Sequence, residues 1–530
     1  MKYPIGIQDF EKIIEGGYVY VDKTDLVYSL ASEGHIYFLS RPRRFGKSLL
    51  LSTLKYYFQG RRDLFRGLAV DRLETEWKEY PVFHIDFNGV NCIGDGELQK
   101  RITGYVETWE NQWGRDPVNE EIGMRFAYVM KSAHERTGLR AVVLIDEYDK
   151  PLLDVLDTGY TGMLNGRVTP LEEIHRNILK GFYSVFKLAD PDLQFVLLTG
   201  VTKFSQVSVF SGFNQPDDIS MNGRYEALCG ITEEELLTVF DEPIHALAKK
   251  YRLSYEDTVS RLKKKYDGYH FGEEMIDIFN PFSILNCFNA MRMRDYWFTS
   301  GTPTYLLRLL SHSEENINEL VGRYYDARQF VDYKADLERP LPMIYQSGYL
   351  TIKDFNERLF TYLLDFPNEE VRNGFIDAVA SGYFKDTSSP VSWVLDVTNS
   401  LENGDTDRFE KQMTSLLSSV SYRFQRKQDV KECERYFQYT FFLIVKMLAF
   451  YSTVAEKETS EGRIDCVVEC PGYVYIIEFK LDGSAEKALR QIEEKGYAKP
   501  YAADSREVIS LGINFSSETG TIDGFLVRRG

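Results

Sequence analysis

Cysteine is scarce in this chain and poorly spaced for metal. The six residues Cys92, Cys229, Cys287, Cys433, Cys466 and Cys470 form no C-x-x-C pair, and the seven histidines offer no ligand cluster beside them. Neither a zinc module nor a disulfide scaffold is expected, and the thiols fit a reducing, cytoplasmic compartment. Long apolar runs are missing as well. A membrane helix needs about 18 such residues, whereas the most apolar stretch, residues 439–450, is shorter and carries Lys446, so it reads as a buried helix. No membrane partner is expected. The opening Met1-Lys2-Tyr3-Pro4-Ile5-Gly6 lacks the apolar core of a signal peptide. Positive charge is also in deficit: 63 Lys and Arg face 80 Asp and Glu, a net charge of −17. Indiscriminate coating of nucleic acid rests on phosphate neutralisation and is disfavoured by that balance, although a local basic groove is not. No internal repeat or low-complexity tract is visible.

What remains is the composition of a globular protein, 43% apolar and 27% charged over 530 residues. At roughly 150 residues per domain that length suggests about three domains. The first two hundred or so residues alternate short apolar runs with longer amphipathic stretches, the βαβ pattern of a mainly parallel sheet. Candidate strands lie at residues 36–39, 82–87, 141–145 and 195–198. They read as continuously apolar, as strands covered by helices on both faces do. From Thr232 the pattern turns helical and charged, with one strand-like insert around residues 349–352. The polar stretch Asp386-Thr387-Ser388-Ser389-Pro390 marks a boundary. The division expected is 1–230, 231–389 and 390–530.

The strand at 36–39 runs into Ser40-Arg41-Pro42-Arg43-Arg44-Phe45-Gly46-Lys47-Ser48, and a helix-like Leu49-Leu50-Leu51 follows. Strand, loop and helix are the context of a phosphate-binding P-loop. Gly46 would let the backbone approach a phosphate, Lys47 would reach the β- and γ-phosphates, and Ser48 would ligate Mg²⁺. The first glycine of G-x-x-x-x-G-K-S is replaced by Arg41, which Pro42 pushes towards an extended conformation. A second motif lies downstream. The apolar strand Ala141-Val142-Val143-Leu144-Ile145 ends in Asp146-Glu147, the Walker B arrangement, in which Asp146 holds Mg²⁺ and Glu147 polarises the attacking water. A further strand ends in Thr199 and Thr202, either of which could sense a γ-phosphate.

These runs, with Tyr20-Val21-Asp22-Lys23-Thr24, Leu144-Ile145-Asp146-Glu147-Tyr148-Asp149-Lys150-Pro151 and Phe210-Ser211-Gly212-Phe213-Asn214, resemble the AAA-ATPase-like family of bacteria and some archaea. That family's loop reads R-P-R-R-F-G-K-S, so Arg41 is its ordinary form. The resemblance implies ATP as the cofactor, held by Arg44, Gly46, Lys47, Ser48 and Asp146, with Glu147 catalytic. It also implies a C-terminal nuclease-like domain.

The tail carries a matching signal. Residues 462–469 and 473–480 form two strand-like runs around Pro471-Gly472. Period-two alternation puts Glu478 and Lys480 on one face. A hairpin centred there pairs residues whose numbers sum to 943, which sets Asp465 opposite Glu478 and Arg463 opposite Lys480. Two adjacent carboxylates repel, and a hard cation such as Mg²⁺ between them relieves that repulsion. Lys480 would add charge near a scissile phosphate. Glu456 could add a ligand. A helix opening at Ser484 follows, with Ala485, Leu489, Ile492 and Gly496 on one stripe, then a strand at residues 507–512. The order resembles the PD-(D/E)xK nuclease superfamily, with Gln491 and Tyr497 matching its helix motif.

The fold expected is therefore α/β: a P-loop domain with a parallel sheet, a largely helical middle and a restriction-endonuclease-like C-terminal domain. The function expected is an ATP-regulated, Mg²⁺-dependent nuclease, with Asp465, Glu478 and Lys480 at the cutting site. Its partner would be nucleic acid, DNA rather than RNA, and assembly into a homo-oligomer is left open. The competing reading is a nucleotide-dependent switch whose nuclease-like domain binds without cutting.

Overall fold

Four apolar runs become parallel strands because the segments that join one to the next include helices long enough to return over the sheet. In the computed structural model, which describes residues 1–89, 92–203, 216–297, 320–332, 339–375, 390–421, 453–455, 458–459, 462–463, 466–502, 504–516, 518–519 and 521–530, the chain divides into two units, Met1–Arg372 and Asn373–Gly530.

The first unit is organised around a five-stranded parallel sheet in the order Val82–Asp86, Ala141–Asp146, Leu193–Gly200, Ile36–Ser40 and Asp217–Asp218. The strand Leu193–Gly200 thus separates the P-loop strand from the one that ends in Asp146. The inner strands are buried almost residue by residue. Val82–Asp86 alternates instead, with Phe83 and Ile85 buried and His84 and Asp86 half-buried. The continuous burial expected of this run fails because it lies at the sheet's edge, where its second face is covered less completely.

On that packed side the helices Glu97–Trp113, Ile122–Thr137 and Leu171–Leu188 lay Ile102, Val106, Phe126, Met130, Phe182 and Phe186 on the sheet. The P-loop helix Lys47–Phe58 covers the other face, where its Phe58 ring sits 5.0 Å from that of Phe195. At about 25 cal/mol per Å² of apolar surface, such two-sided burial is the main force holding the strands' ends in place.

Thr232 starts the helical middle with a capping box. Its N–H donates to Glu235 Oε2 at 2.8 Å, and its hydroxyl accepts from the Glu235 N–H at 3.3 Å. The helices Glu233–Val239, Asp241–Tyr251, Tyr255–Tyr266 and Pro281–Ala290 then share a core of Leu236, Phe240, Ile244, Leu262 and Phe288. The single strand-like insert proves to be part of a three-stranded antiparallel sheet. Thr351–Asn356 pairs with Thr361–Asp365, which pairs with Arg323–Asp326.

The second unit carries a mixed five-stranded sheet in the order Thr453–Ala455, Cys466–Glu469, Tyr473–Leu481, Glu507–Ser516 and Thr521–Arg529. Tyr473–Leu481 and Glu507–Ser516 run parallel, and the helix Ala485–Glu494 connects them. Its Ser484 cap accepts from the Lys487 N–H at 3.3 Å. Ala485, Leu489 and Ile492 are buried as the stripe predicts. Gly496 lies beyond the helix end with φ 58°. The apolar run at 439–450 falls outside the described residues. Among the described residues no helix is long and apolar enough to cross a membrane.

Candidate functional sites

The P-loop leaves the sheet still extended, with the Arg41 N–H donating to Gly200 O at 3.2 Å. Its left-handed positions come later, at Arg44 (φ 71°) and Gly46 (φ 95°). A Cβ on Gly46 would meet nothing within 4 Å, so its φ and not crowding calls for glycine. The helix then begins at Lys47, aiming its unsatisfied N–H groups at the loop's mouth. Lys47 Nζ donates to the carbonyl oxygens of Arg41 at 2.9 Å and Pro42 at 3.2 Å.

Arg41 turns away from the phosphate side. Its guanidinium donates to Ser40 O at 2.9 Å, Ser220 O at 2.7 Å and Tyr225 O at 3.2 Å, and lies 4.2 Å from the centroid of the Phe271 ring. Burial lowers its pKa from the usual arginine value.

Asp146 ends its strand 2% exposed. Its Oδ1 accepts from Thr199 Oγ1 at 2.7 Å and from the Glu147 N–H at 3.0 Å. Glu147 follows with φ 52°, a left-handed backbone that turns the chain sharply at the strand end. The two threonines therefore have different partners. Thr199 holds Asp146, whereas Thr202 donates to Asp149 Oδ2 through its N–H at 2.6 Å and its hydroxyl at 2.7 Å. Asp149 is fully buried, and desolvation, with the nearby Glu147 charge second, pushes its pKa up to about 6.

Arg44, Gly46, Lys47, Ser48 and Glu147 line one cavity of about 360 Å³, a size suited to a small ligand. Part of the lining was not anticipated from sequence: residues 4–8, and Phe282, Leu285 and Asn286 from the helix Pro281–Ala290. The signal was present as apolar residues flanking Gly6 and Pro281. Nothing local, however, says that two such distant segments meet. Of the arginines that follow the P-loop helix, Arg61 pairs with Glu11 at 2.7 Å and Asp63 at 2.9 Å, and Arg62 with Asp71 at 3.1 Å. Arg43, Arg44 and Lys47 line the cavity.

In the second unit the hairpin has the expected register. Cys466↔Ile477, Val467↔Ile476, Val468↔Tyr475 and Glu469↔Val474 each sum to 943, and the Cys470 N–H closes the turn on Tyr473 O at 2.8 Å. Asp465 and Glu456 fall outside the described residues. Arg463 does not pair with Lys480: it faces Glu458 in a separate two-stranded ladder.

Glu478 is 1% exposed. Lys480 Nζ donates to Glu478 Oε1 at 3.1 Å and to Gln491 Oε1 at 2.7 Å, and Gln491 Nε2 donates to Glu478 Oε1. Tyr497 is buried in the core beneath the connecting helix. Gly512, beside Glu478 in the parallel register, lets that helix approach. A Cβ there would stand 2.3 Å from Ala485 O.

Ser48, Asp146 and Glu478 offer oxygen donors, the type that Mg²⁺ takes. Among the described residues no group of three or more His, Cys, Asp or Glu converges.

Comparison with known proteins bears on both units. Residues 4–210 match the family described as predicted AAA-ATPase, and residues 432–525 match the PD-(D/E)XK nuclease superfamily. The chain is also 35% identical over 534 residues, 99% of either chain, to a protein of Azotobacter chroococcum mcd 1 named for its position in the vnfD 5' region and otherwise uncharacterized.

Proposed function

We propose, for a chain that belongs to the predicted AAA-ATPase family and ends in a domain of the PD-(D/E)XK nuclease superfamily, that it is an ATP-binding, Mg²⁺-dependent nuclease whose nucleotide state controls cutting. In this reading residues 1–230 form the nucleotide domain, 231–389 a helical lid and 390–530 the nuclease domain. The observation that carries the nuclease half is the convergence of Lys480 and Gln491 on the buried Glu478.

Arg44, Gly46, Lys47 and Ser48 cradle the phosphates of ATP, and Asp146, oriented by Thr199, takes the cation of the nucleotide. Lys47 exchanges its two loop carbonyls for phosphate oxygens, a gain because the phosphate carries the full negative charge that a neutral carbonyl lacks. Glu147 orients the attacking water. In the nuclease domain Asp465 and Glu478 are the metal ligands, Lys480 stabilises charge on the scissile phosphate, and Gln491 fixes the Glu478 carboxylate. Mg²⁺, when bound, supplies charge neutralisation and a more acidic water. DNA is the substrate favoured over RNA, and the protein acts in the cytoplasm.

Purified protein incubated with Mg²⁺ and single- or double-stranded DNA or RNA, with and without ATP, tests this. Cleavage lost in Glu478→Ala and altered in rate by ATP is expected. No cleavage by wild type under any condition, or cleavage undiminished in Glu478→Ala, sinks the nuclease claim. Nucleic-acid binding without cutting would instead favour the switch.

A further inference from the structure

The chain that follows Asp146-Glu147 is anchored on both sides of one lysine. The Tyr148 N–H donates to Thr199 O at 3.0 Å and its hydroxyl to Thr202 O at 2.8 Å. Asp149, fully buried, accepts from the N–H groups of Val201 at 3.0 Å and Thr202 at 2.6 Å. Beyond the lysine, Pro151 O accepts from Nδ1 of the buried His175, on the helix Leu171–Leu188, at 2.8 Å, and Leu152 joins the core beneath the sheet. Lys150 itself is tied through its backbone, its N–H donating to Glu147 O at 3.0 Å.

Its side chain is held far less firmly. The ammonium donates to both carboxylate oxygens of Asp154 at 2.9 Å, in a pair that is partly exposed, 25% at the lysine and 26% at the acid. A lysine placed four residues before its acid is the less favourable order on a helix, and partly exposed pairs of this kind contribute little. A compact charge on a flexible four-carbon stem thus stands on a fixed backbone.

Lys150 lines the P-loop cavity together with Lys47, Ser48 and Glu147, whereas its resting partner Asp154 does not. A terminal phosphoryl group carries up to about two negative charges and three acceptor oxygens, against the single charge of one carboxylate. In the nucleotide reading Glu147 faces that terminal group, and Lys150 is bonded to the Glu147 carbonyl one turn further on.

We propose that Lys150 leaves Asp154 when ATP binds and contacts the terminal phosphoryl group, so that it tells ATP from ADP. The contact rests on the nucleotide reading given above and adds to it a cation from outside the P-loop.

Equilibrium binding of ATP and ADP to the full chain, in wild type, Lys150→Met, Asp154→Asn and the double variant, tests it. Lys150→Met should leave ADP affinity unchanged and cut ATP affinity about tenfold, the scale of one hydrogen bond to a charged group. Asp154→Asn frees the ammonium and should bind ATP at least as tightly as wild type, and in the Lys150→Met background it should change nothing further. A wild-type preference for ATP that persists in Lys150→Met, a wild type that does not distinguish the two nucleotides, or an Asp154→Asn variant that loses ATP affinity as Lys150→Met does, overturns the proposal and leaves the P-loop site standing; the last result would make the pair a structural tie. If Lys150→Met loses both nucleotides through misfolding, Asp154→Asn alone decides: ATP affinity at or above that of wild type supports the contact, and a loss overturns it. Failure of wild type to bind either nucleotide overturns the nucleotide reading itself and the contact with it.

Discussion

Thr199 Oγ1 donates to Asp146 Oδ1 at 2.7 Å from the strand that separates Asp146 from the P-loop. The bond keeps a 2%-exposed carboxylate in one rotamer at the head of its strand. Thr199→Val keeps the shape and removes the donor, leaving buried acceptor capacity unmet at about 1–3 kcal/mol. ATP turnover should fall roughly tenfold, as one misoriented ligand implies, and Thr199→Ser should restore most of it. Steady-state hydrolysis by the three proteins is the measurement. Turnover unchanged in Thr199→Val would show that Asp146 needs no such support.

Asp149 gives the first unit a pH dependence of known sign. Burial raises its pKa to about 6, against about 3.9 in an unfolded chain. The folded state thus holds this proton more tightly. The stability it confers is full below about pH 4 and is lost as pH rises through about 6. A gap near two units corresponds to about 3 kcal/mol. Asp149→Asn keeps an acceptor for the Thr202 N–H and cannot ionise. Relative to wild type the variant should gain up to about that much between pH 4 and pH 7 in denaturant unfolding. A difference independent of pH would mean that Asp149 stays charged or stays neutral throughout.

Much of this arrangement was legible in the sequence where one local rule decides the outcome. Ala141–Asp146 could only be a buried strand, Ser484 could only cap a helix, and the Pro471-Gly472 turn set a register that holds from Cys466 to Tyr473. What escaped depends on meetings between distant segments. Asp217–Asp218 joins the sheet through backbone pairing with Tyr37 and Phe38, and its side chains give no strand signal. Nothing in Thr199 or Thr202 says which carboxylate each will find. The cavity lining shared by Ile5 and Phe282 exists only once both segments meet at the P-loop. Arg463 shows the converse: a register extrapolated beyond its hairpin ends where a second ladder, with Glu458, takes over.

Gly512 is predicted to be indispensable to the second site, although it carries no chemistry. A Cβ there would lie 2.3 Å from Ala485 O and 2.9 Å from Leu489 N, both backbone atoms of the connecting helix. Gly512→Ala must lift that helix from the sheet, at a cost of roughly 1–3 kcal/mol for overpacking. Gln491 would then lose its reach to Glu478 and Lys480. Cleavage should be abolished while ATP hydrolysis persists. Gly524→Ala, where the nearest approach is 3.3 Å to the Ala485 side chain, should be far milder. Comparable damage from both variants would count against a specific role for the helix approach.

Arg41 occupies the place of the first P-loop glycine, and restoring glycine there should damage the protein. The guanidinium is 1% exposed, donates to the carbonyls of Ser40, Ser220 and Tyr225 and packs on Phe271. None of these partners lies on the phosphate side. Arg41→Gly would leave those carbonyls without their donor and open a cavity, and the two effects together cost roughly 3 kcal/mol or more. Arg41→Lys should recover only part of that loss, because an ammonium cannot span three carbonyls as the planar fork does. The left-handed turns that a glycine would supply are already made at Arg44 and Gly46, so the substitution offers the loop nothing in return. Thermal unfolding should show a large downward shift for Arg41→Gly. ATP affinity measured well below the variant's unfolding temperature should stay within a few-fold of wild type, because Lys47 and Ser48 still sit at the start of their helix. A variant that binds ATP tighter at unchanged stability would show instead that Arg41 obstructs the phosphate cradle.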